Sequence, residues 1–172
     1  MRQKLILSAV LSFCVLPLLA LQSSWQPKDK GLDLAGASQQ AKEWVHLVSA
    51  TEMTVPAGQA HPLTLKFLIN SGLHINSHTP RSAYLVPTTL TLDAPAGMHI
   101  TAMEFPQGVD YHFHFAPRET LSVYTGELAV SVRVQAAPGA YAVRGKLHYQ
   151  SCDNQECNPP RTLPFTIQVT AR

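Results

Sequence analysis

The sequence predicts an all-β domain, an immunoglobulin-like antiparallel β-sandwich that carries a pair of cysteines in a β-hairpin. The first observation is that apolar and polar residues alternate with a period of two, which is the pattern of strands with one buried face. The second is that turn-forming residues separate these segments at short intervals. The third is that no segment shows a sustained helical period. Seven or eight short strands with regular turns favour the immunoglobulin type of sandwich.

Four segments show the alternation clearly, and three shorter segments are further candidate strands. The clear segments are 63–70, 128–135, 141–149 and 165–170, and the shorter ones are 45–50, 88–92 and 99–105. The turn signals between them are Pro56-Ala57-Gly58, Asn70-Ser71-Gly72, Pro95-Ala96-Gly97 and Pro138-Gly139. These elements place the predicted sandwich in the second, larger part of the chain.

The first 22 residues are organised like a secretory signal peptide. Arg2 and Lys4 precede an apolar run over residues 5–20. This run is shorter than the roughly 20 residues that cross a membrane comfortably, and it is typical of the central region of an export signal. Ala20 can occupy the last position before cleavage, although the sequence does not fix the cut. We therefore expect export to the periplasm, with an uncleaved N-terminal membrane anchor as the alternative.

The rest of the chain divides into a leader and one domain. Residues 23–43 are polar and are predicted to be a leader or tether, whereas residues 44–172 form the predicted sandwich, which is long enough to bury a core. Thirteen basic and eleven acidic residues give a net charge of +2 without a basic run. This charge pattern does not indicate a nucleic-acid partner.

The three cysteines fall into two groups. Cys14 lies within the apolar run and is expected to be removed with the signal peptide. Cys152 and Cys157 remain, and an even number of cysteines in an exported protein suggests one disulfide. The strand that enters this pair ends near Tyr149, and the next strand begins near Thr162. The pair is therefore expected at or near the tip of a β-hairpin.

Chemistry alone leaves two functions open for this pair. As a structural staple, a disulfide closing so short a loop contributes only about 2 kcal/mol in the chain-entropy model. As a redox centre, it would benefit from a loop tip, because thiol–disulfide exchange needs access to sulfur. Zinc binding is not predicted, since two cysteines supply only half of a typical site.

An ordered set of short motifs surrounds the cysteines. The motifs are Gly72-Leu73-His74-Ile75-Asn76-Ser77, Pro87-Thr88, Phe105-Pro106-Gln107-Gly108-Val109, Leu121-Ser122-Val123-Tyr124, Tyr149-Gln150-Ser151-Cys152 and Cys157-Asn158-Pro159-Pro160. Over about residues 55–169 this set resembles the family of N-terminal periplasmic domains of the thiol:disulfide interchange protein DsbD. The resemblance implies an immunoglobulin-like sandwich with its redox pair in an inserted hairpin.

The resemblance also implies an activity and its partners. A domain of this family receives electrons from a membrane electron transporter through a thioredoxin-like domain, and it passes them to exported disulfide-containing proteins, among them disulfide isomerases and the thioredoxins of cytochrome c maturation. No cofactor is expected. The second cysteine of the family forms the mixed disulfide with partners, which maps onto Cys157. Because this chain ends at Arg172, the electron donor is expected to be a separate protein.

Further site residues follow from the same resemblance. In the family, a nearby loop places an aromatic cap over the disulfide, and residues 110–115 occupy that place. Phe115 is the best match for the cap, followed by Phe113. The candidate modulators of the cysteine pair are His112, His114, His74, Asn76 and Tyr149. In particular, His74 and Asn76 stand where the family carries tyrosines, and four residues separate the cysteines where its well-known form has five.

Two alternatives to the redox function are retained. One is a non-catalytic exported β-sandwich binding module with a structural disulfide. The other is a histidine-based metal-binding module, because His112 and His114 would point the same way from a strand. With His74, His78 or His148 they could contribute to a copper or zinc site. No carboxylate or methionine pattern completes such a site, so no metal ligands are predicted.

Overall fold

The computed structural model describes residues 43–113 and 116–172. The predicted signal peptide, the leader up to residue 42, and the candidates His114 and Phe115 lie outside the described residues. In the part that is described, the chain forms twelve β-strands and no α-helix. None of its segments is therefore a helix long and apolar enough to cross a membrane.

The strands follow one another at short intervals. They are β1 (Val45–Leu47), β2 (Glu52–Val55), β3 (His61–Ile69), β4 (His74–Asn76), β5 (Thr89–Asp93), β6 (Met98–Glu104), β7 (Val109–Phe113), β8 (Ala116–Thr125), β9 (Glu127–Ala136), β10 (Gly139–Tyr149), β11 (Ser151–Cys152) and β12 (Arg161–Ala171).

These strands form three four-stranded sheets. The first sheet has the order β1-β3-β9-β6, the second β2-β12-β10-β5, and the third β11-β4-β8-β7. All neighbouring strands are antiparallel except β2 and β12, which run parallel. The prediction of an all-β, immunoglobulin-like sandwich is confirmed, and the parallel pair and the small third sheet add to it.

The first and second sheets enclose the main hydrophobic core. Every second residue of β3, from Leu63 to Ile69, is buried against inward residues of β10 and β12 such as Val143 and Ile167. The rings of Phe67 and Phe165 meet edge to face across this core, with centroids 5.6 Å apart. Burying one such aliphatic or aromatic side chain contributes roughly 1.5–3 kcal/mol. The alternation seen in the sequence therefore places the side chains whose burial stabilises the sandwich.

The third sheet is built from strands that continue those of the sandwich. The chain passes from β3 into β4, from β8 into β9 and from β10 into β11 through short connections. Gly126, between β8 and β9, has a φ of 63°, a left-handed conformation that glycine adopts without strain. Its carbonyl accepts a hydrogen bond of 2.7 Å from the Ile69 N–H, which joins the first and third sheets. The third sheet is thereby fixed to the sandwich that supports it.

The two faces of the third sheet have different surroundings. On one face, Ile75 and Tyr124 lie opposite each other and belong to the main core. On the other face lies a separate apolar cluster, which we call the disulfide cluster. It consists of the buried residues Phe113, Leu121, Val123 and Cys152, with Leu85 and Tyr111 packed against them. The fold thus surrounds one cysteine with its own small core.

Several strands were not evident in the sequence. The candidate segments 45–50, 88–92 and 99–105 correspond to β1, β5 and β6 with shifted ends. The short strands β4 and β11 show no alternation, because all of their residues are buried. A strand that is covered on both faces loses the period of two, which explains why β4 and β11 left no pattern. The strands β2, β7 and β8 were also not among the predicted segments, so the structure has twelve strands where seven or eight were predicted.

Candidate functional site

The two cysteines form a disulfide in the connection between β10 and β12. Tyr149 pairs with Arg161 at the base of this connection, and residues 150–160 leave the second sheet. Cys152 lies in β11, which pairs with β4 so that Cys152 stands directly opposite His74. Cys157 closes the loop as the bridge partner of Cys152, with the two Cα atoms 4.0 Å apart. The cysteine hairpin is therefore an edge of the third sheet.

The two cysteines differ sharply in exposure. Cys152 is 1% exposed because it belongs to the disulfide cluster. Cys157 follows the polar loop 153–156 and is exposed. Exchange requires an incoming thiolate to approach a sulfur. Of the two cysteines, Cys157 is therefore the more accessible residue, whereas Cys152 is covered by its neighbours.

Hydrogen bonds shape the loop between the cysteines. The Asp153 carboxylate accepts the N–H groups of Gln155 at 2.7 Å and of Glu156 at 2.9 Å, and the Asp153 N–H donates to the Glu156 carbonyl. These hydrogen bonds lower the pKa of the Asp153 carboxyl because they stabilise its charged form. The Glu156 N–H has the larger effect and the Gln155 N–H the smaller one. Outside the loop, the Asn158 N–H donates to the Ser151 carbonyl at 2.8 Å. These bonds fix the loop in addition to the disulfide.

Tyr111 connects the cysteine loop to β7, a role that the sequence analysis missed. Its hydroxyl donates to the side-chain oxygen of Asn154 in the loop. Its ring lies over the His74 ring, with centroids 4.1 Å apart and planes tilted by 35°. The available signal was its spacing, since Tyr111 and Phe113 are two residues apart and project from the same face of a strand.

His74 is a buried titratable residue of the site. It is 2% exposed, and its ring contacts both the Tyr111 ring and the Phe113 ring, whose centroid is 5.7 Å away. Its Nε2 atom has no hydrogen-bond partner among the described residues. Burial lowers the pKa of His74, and the nearby carboxylate of Asp153 partly opposes this effect. Since the usual value is 6.5, the imidazole is neutral at neutral pH.

Asn76 joins the cysteine hairpin to the chain after β4. Its side-chain amide donates to the Val86 carbonyl at 3.0 Å and to the Gln150 side chain at 3.4 Å. Gln150 is the residue at which β10 gives way to β11. The Asn76 carbonyl also accepts the Thr88 hydroxyl at 2.6 Å. Asn76 therefore orients the entry to the cysteine hairpin.

The structure places the other candidates in different surroundings. Phe113 is 8% exposed and lies in the disulfide cluster with Cys152. His112 is exposed on the opposite face of β7, where its Nδ1 lies 3.2 Å from the Glu119 carbonyl. Tyr149 is buried in the main core, and this burial raises the pKa of its hydroxyl. The cysteines, His74 and Phe113 are thus brought together, whereas His112 and Tyr149 are not.

The histidines considered for metal binding lie on separate elements. The His78 ring stacks on Phe105 with centroids 4.1 Å apart, and the His148 side chain contacts the Thr162 hydroxyl at 3.1 Å. Over residues 43–113 and 116–172, no three His, Cys, Asp or Glu side chains are grouped so that they could hold a metal ion. The described part of the chain therefore gives no geometric support to the metal-binding alternative.

The Pro-Gln-Gly segment packs closely on the third sheet. A Cβ atom on Gly108 would lie 2.3 Å from the Ser122 Oγ and 2.7 Å from the Ser77 Cβ, so only glycine fits. The Tyr124 hydroxyl donates to the Pro106 carbonyl at 2.9 Å and accepts the His78 N–H at 3.1 Å. This motif therefore fixes the path of the chain into β7.

An open groove of 670 Å³ borders the cysteine loop. His74, Tyr111 and Asn154 line its side nearest the disulfide. The turn after β3 and the bend between β8 and β9 line the other side, with Leu68, Gly72, Thr125 and Gly126 among the residues. The buried His74 side chain thus lies beside a groove that is open to solvent.

Comparison with known proteins gives one family and several distant structures. The family model described as thiol:disulfide interchange protein DsbD, N-terminal, matches residues 41–168. None of the curated proteins matches the chain. The DsbD N-terminal domain of Neisseria meningitidis in the reduced form is 22% identical over 67% of this chain and 82% of that one, with a TM-score of 0.45.

Two further solved structures are similar at lower identity. The complex between the DsbD N-terminal and PilB N-terminal domains from Neisseria meningitidis is 18% identical, covering 64% of this chain and 77% of that one, with a TM-score of 0.43. The N-terminal periplasmic domain of ScsB from Proteus mirabilis is 9% identical, covering 73% and 44%, with a TM-score of 0.46. The family model, which spans most of the chain and both cysteines, establishes the relationship. The chain belongs to the DsbD N-terminal family of thiol–disulfide exchange domains.

Proposed function

We propose that the chain is a periplasmic carrier of electrons that works through the Cys152–Cys157 disulfide. It accepts electrons from a membrane electron transporter or a thioredoxin-like donor, and it passes them to disulfides of exported proteins. The observation that carries this proposal is the unequal exposure of the two sulfur-bearing residues, 1% for Cys152 against an exposed Cys157. Membership of the exchange family supports the chemistry, and the predicted signal peptide at residues 1–22 supports the compartment.

The exposure difference supports a separate role for each cysteine. To reduce the oxidised domain, a donor thiolate attacks the Cys157 sulfur. The Cys152–Cys157 bond breaks, and Cys152 leaves as the thiolate. The donor's second thiol then displaces the donor from Cys157, which leaves the domain as a dithiol. When the domain reduces a substrate, the Cys157 thiolate attacks one sulfur of the substrate disulfide, which forms a mixed disulfide on Cys157 and releases the other substrate sulfur as a thiolate. Cys152 then attacks the Cys157 sulfur, which restores the disulfide and releases the substrate thiolate.

We further propose that aromatic side chains of the 110–115 segment shield the bond between encounters. The packing of Phe113 in the disulfide cluster with Cys152 supports this role for Phe113. The Phe115 cap remains a prediction. The Tyr111–Asn154 hydrogen bond supports a contact between this segment and the cysteine loop. A partner that engages the loop would therefore also meet the segment next to it.

A trapping experiment tests the two cysteine roles. Cys152→Ser and Cys157→Ser are prepared in the full chain, with Cys14→Ser so that one thiol remains in each. Each variant is mixed with a thioredoxin-like protein that keeps one cysteine, activated as its thionitrobenzoate disulfide. Cys152→Ser, which keeps the exposed thiol, should form a covalent, reductant-sensitive complex at least about tenfold faster, because exchange rates follow access to sulfur.

The outcomes separate the proposal from the alternatives. A complex that forms only through Cys152 would keep the exchange function and reverse the two roles. No complex with either variant, at pH values where both thiols react with a small alkylating reagent, would favour a structural staple. The staple alternative also predicts that each variant loses only about 2 kcal/mol of stability or less.

A further inference from the structure

The strongest unassigned chemical group near the disulfide is the imidazole of His74. His74 is 2% exposed, and its ring packs against the Tyr111 ring. The Nε2 atom of His74 has no hydrogen-bond partner within the described residues. A buried polar atom without a partner usually costs about 1–3 kcal/mol. Such a cost at a functional site calls for an explanation in terms of the chemistry there.

The register places this imidazole next to one particular cysteine. His74 and Cys152 are directly opposite each other in the antiparallel pair of β4 and β11. Residues opposite each other in such a pair project from the same face, with Cβ atoms about 4.5–5.5 Å apart. The other titratable groups that face His74 in the described chain are Tyr111 on β7 and Asp153 in the loop. Asp110, on β7, pairs with Arg81 instead.

The Cys152 thiol must lose its proton before it can react, and His74 is positioned to accept that proton. In the second half of substrate reduction, Cys152 must become a thiolate before it can attack the Cys157 sulfur. A free cysteine thiol has a pKa of about 8.5, and apolar surroundings raise it further. Cys152 is 1% exposed in the disulfide cluster, so bulk water has poor access to its proton. A base inside the fold would remove this barrier.

We propose that His74 is the general base that removes the thiol proton of Cys152 during resolution of the mixed disulfide on Cys157. This inference rests on the proposed exchange function and adds a residue to it. The proton passes from the Cys152 sulfur to the imidazole, and the freed electron pair on that sulfur forms the new bond to the Cys157 sulfur. The bond between Cys157 and the substrate breaks, and the substrate leaves with that electron pair as a thiolate.

The surroundings of His74 suit a base rather than an acid. Burial lowers the pKa of His74, so the imidazole is neutral and able to accept a proton at neutral pH. The Asp153 carboxylate, which keeps its charge because backbone N–H groups lower its pKa, favours the imidazolium that forms. The Tyr111 ring holds the imidazole in place, and Tyr111 is itself tied to the loop through Asn154.

A two-step reaction with a small disulfide measures the proposed step separately. The reduced full chain carrying Cys14→Ser is mixed with dithiobis-nitrobenzoate. The first thionitrobenzoate is released when Cys157 attacks the reagent, and the second is released when Cys152 attacks Cys157. The rate of the second release is recorded from pH 6 to pH 10 for the parent, His74→Gln and His74→Phe. The Phe variant keeps a ring to pack against Tyr111 and removes both nitrogens.

Both His74 variants should slow the second release roughly 100-fold at pH 7, the scale of general-base catalysis. The difference from the parent should shrink steadily towards pH 10, where hydroxide deprotonates Cys152 without help. The first release should be unchanged, as should both releases in His99→Gln, which replaces an exposed histidine of the first sheet.

Each other outcome has a distinct meaning. A second release that is slowed equally at every pH would overturn the base role and leave His74 as a packing residue. Unchanged rates in both variants would overturn it as well. If the parent itself releases no second thionitrobenzoate, then the exchange function fails, and this result is separable from a failure of His74.

Discussion

The main core and the disulfide cluster differ in size and in how many buried polar groups surround them. The main core lies between two sheets, and its buried members are aliphatic or aromatic. The disulfide cluster lies on the other face of the third sheet and contains four buried apolar residues among those that the structure describes. All six buried polar side chains of the described residues lie in the third sheet or in the segment after β4. They are His74, Asn76, Ser77, Thr88, Ser122 and Ser151.

Unpartnered polar atoms show the same division. Of the four buried side-chain atoms without a hydrogen-bond partner in the described chain, three belong to His74, Asn76 and Ser77. Unmet polar groups in a buried place lower stability. Proteins tolerate such groups mainly at functional or strained sites. The main core of the sandwich therefore stabilises the fold. The buried polar groups of the third sheet lower the free energy of unfolding, and they lie beside the disulfide.

Truncation in the main core should have the largest effect on stability and none on chemistry. Phe67 is fully buried and meets the Phe165 ring. Phe67→Ala should lower the free energy of unfolding by about 3–5 kcal/mol, through lost burial and a cavity. The rate at which a small thiol reduces the Cys152–Cys157 bond should stay within about twofold of the parent while the protein is folded. Denaturant unfolding and a reduction time course measure the two quantities.

The matched truncation in the disulfide cluster should have a smaller effect on stability and a larger effect on the reactivity of the disulfide. Phe113 packs in the same cluster as Cys152, at the end of the edge strand β7. Phe113→Ala should cost about 2 kcal/mol, within the usual range for single substitutions. It should also speed small-thiol reduction and alkylation of Cys152 severalfold, because an apolar cover is removed. The comparison of the two regions fails if Phe67→Ala and Phe113→Ala change reactivity to the same extent.

A smaller effect should appear in the dependence of stability on pH. Because the pKa of His74 is lowered from 6.5 by folding, the unfolded chain binds a proton more readily than the folded one. The contribution of neutral His74 to stability is therefore complete above about pH 6.5 and is lost as the pH falls through the folded-state pKa.

His74→Gln should show a shallower loss of stability between pH 7 and pH 5 than the oxidised parent. Thermal or urea unfolding at several pH values gives the slopes. His99→Gln serves as the exposed control and should follow the parent. Identical slopes for the parent and His74→Gln would contradict the burial effect assigned to His74.

The sequence predicted the sandwich well because burial on one face leaves a visible period. Leu63, Leu65 and Phe67 alternate with polar residues, and β3 has the alternation that they indicate. The cysteine hairpin was also predictable, since Cys152 and Cys157 lie between two clear strand segments. The third sheet was harder to predict, because His74, Ile75 and Asn76 are all buried and leave no period.

The site residues divide for a related physical reason. The motif around the cysteines indicated the disulfide chemistry, and the spacing of Tyr111 and Phe113 was an unused signal of a shared face. Neither could show that Cys152 stands opposite His74, because that contact depends on how β10 bends into β11 at Gln150. The contact between Tyr111 and Asn154 joins residues 43 positions apart, so a local pattern does not reveal it.

The reduction potential of the Cys152–Cys157 pair tests most directly the claim that this bond is exchange-active. The oxidised full chain carrying Cys14→Ser is equilibrated with defined ratios of a reduced and an oxidised dithiol reagent, and the free thiols are counted after alkylation. The account predicts a potential between about −270 and −120 mV, the range of disulfide-exchange proteins. A potential below about −300 mV, the region of structural disulfides in secreted proteins, would contradict it.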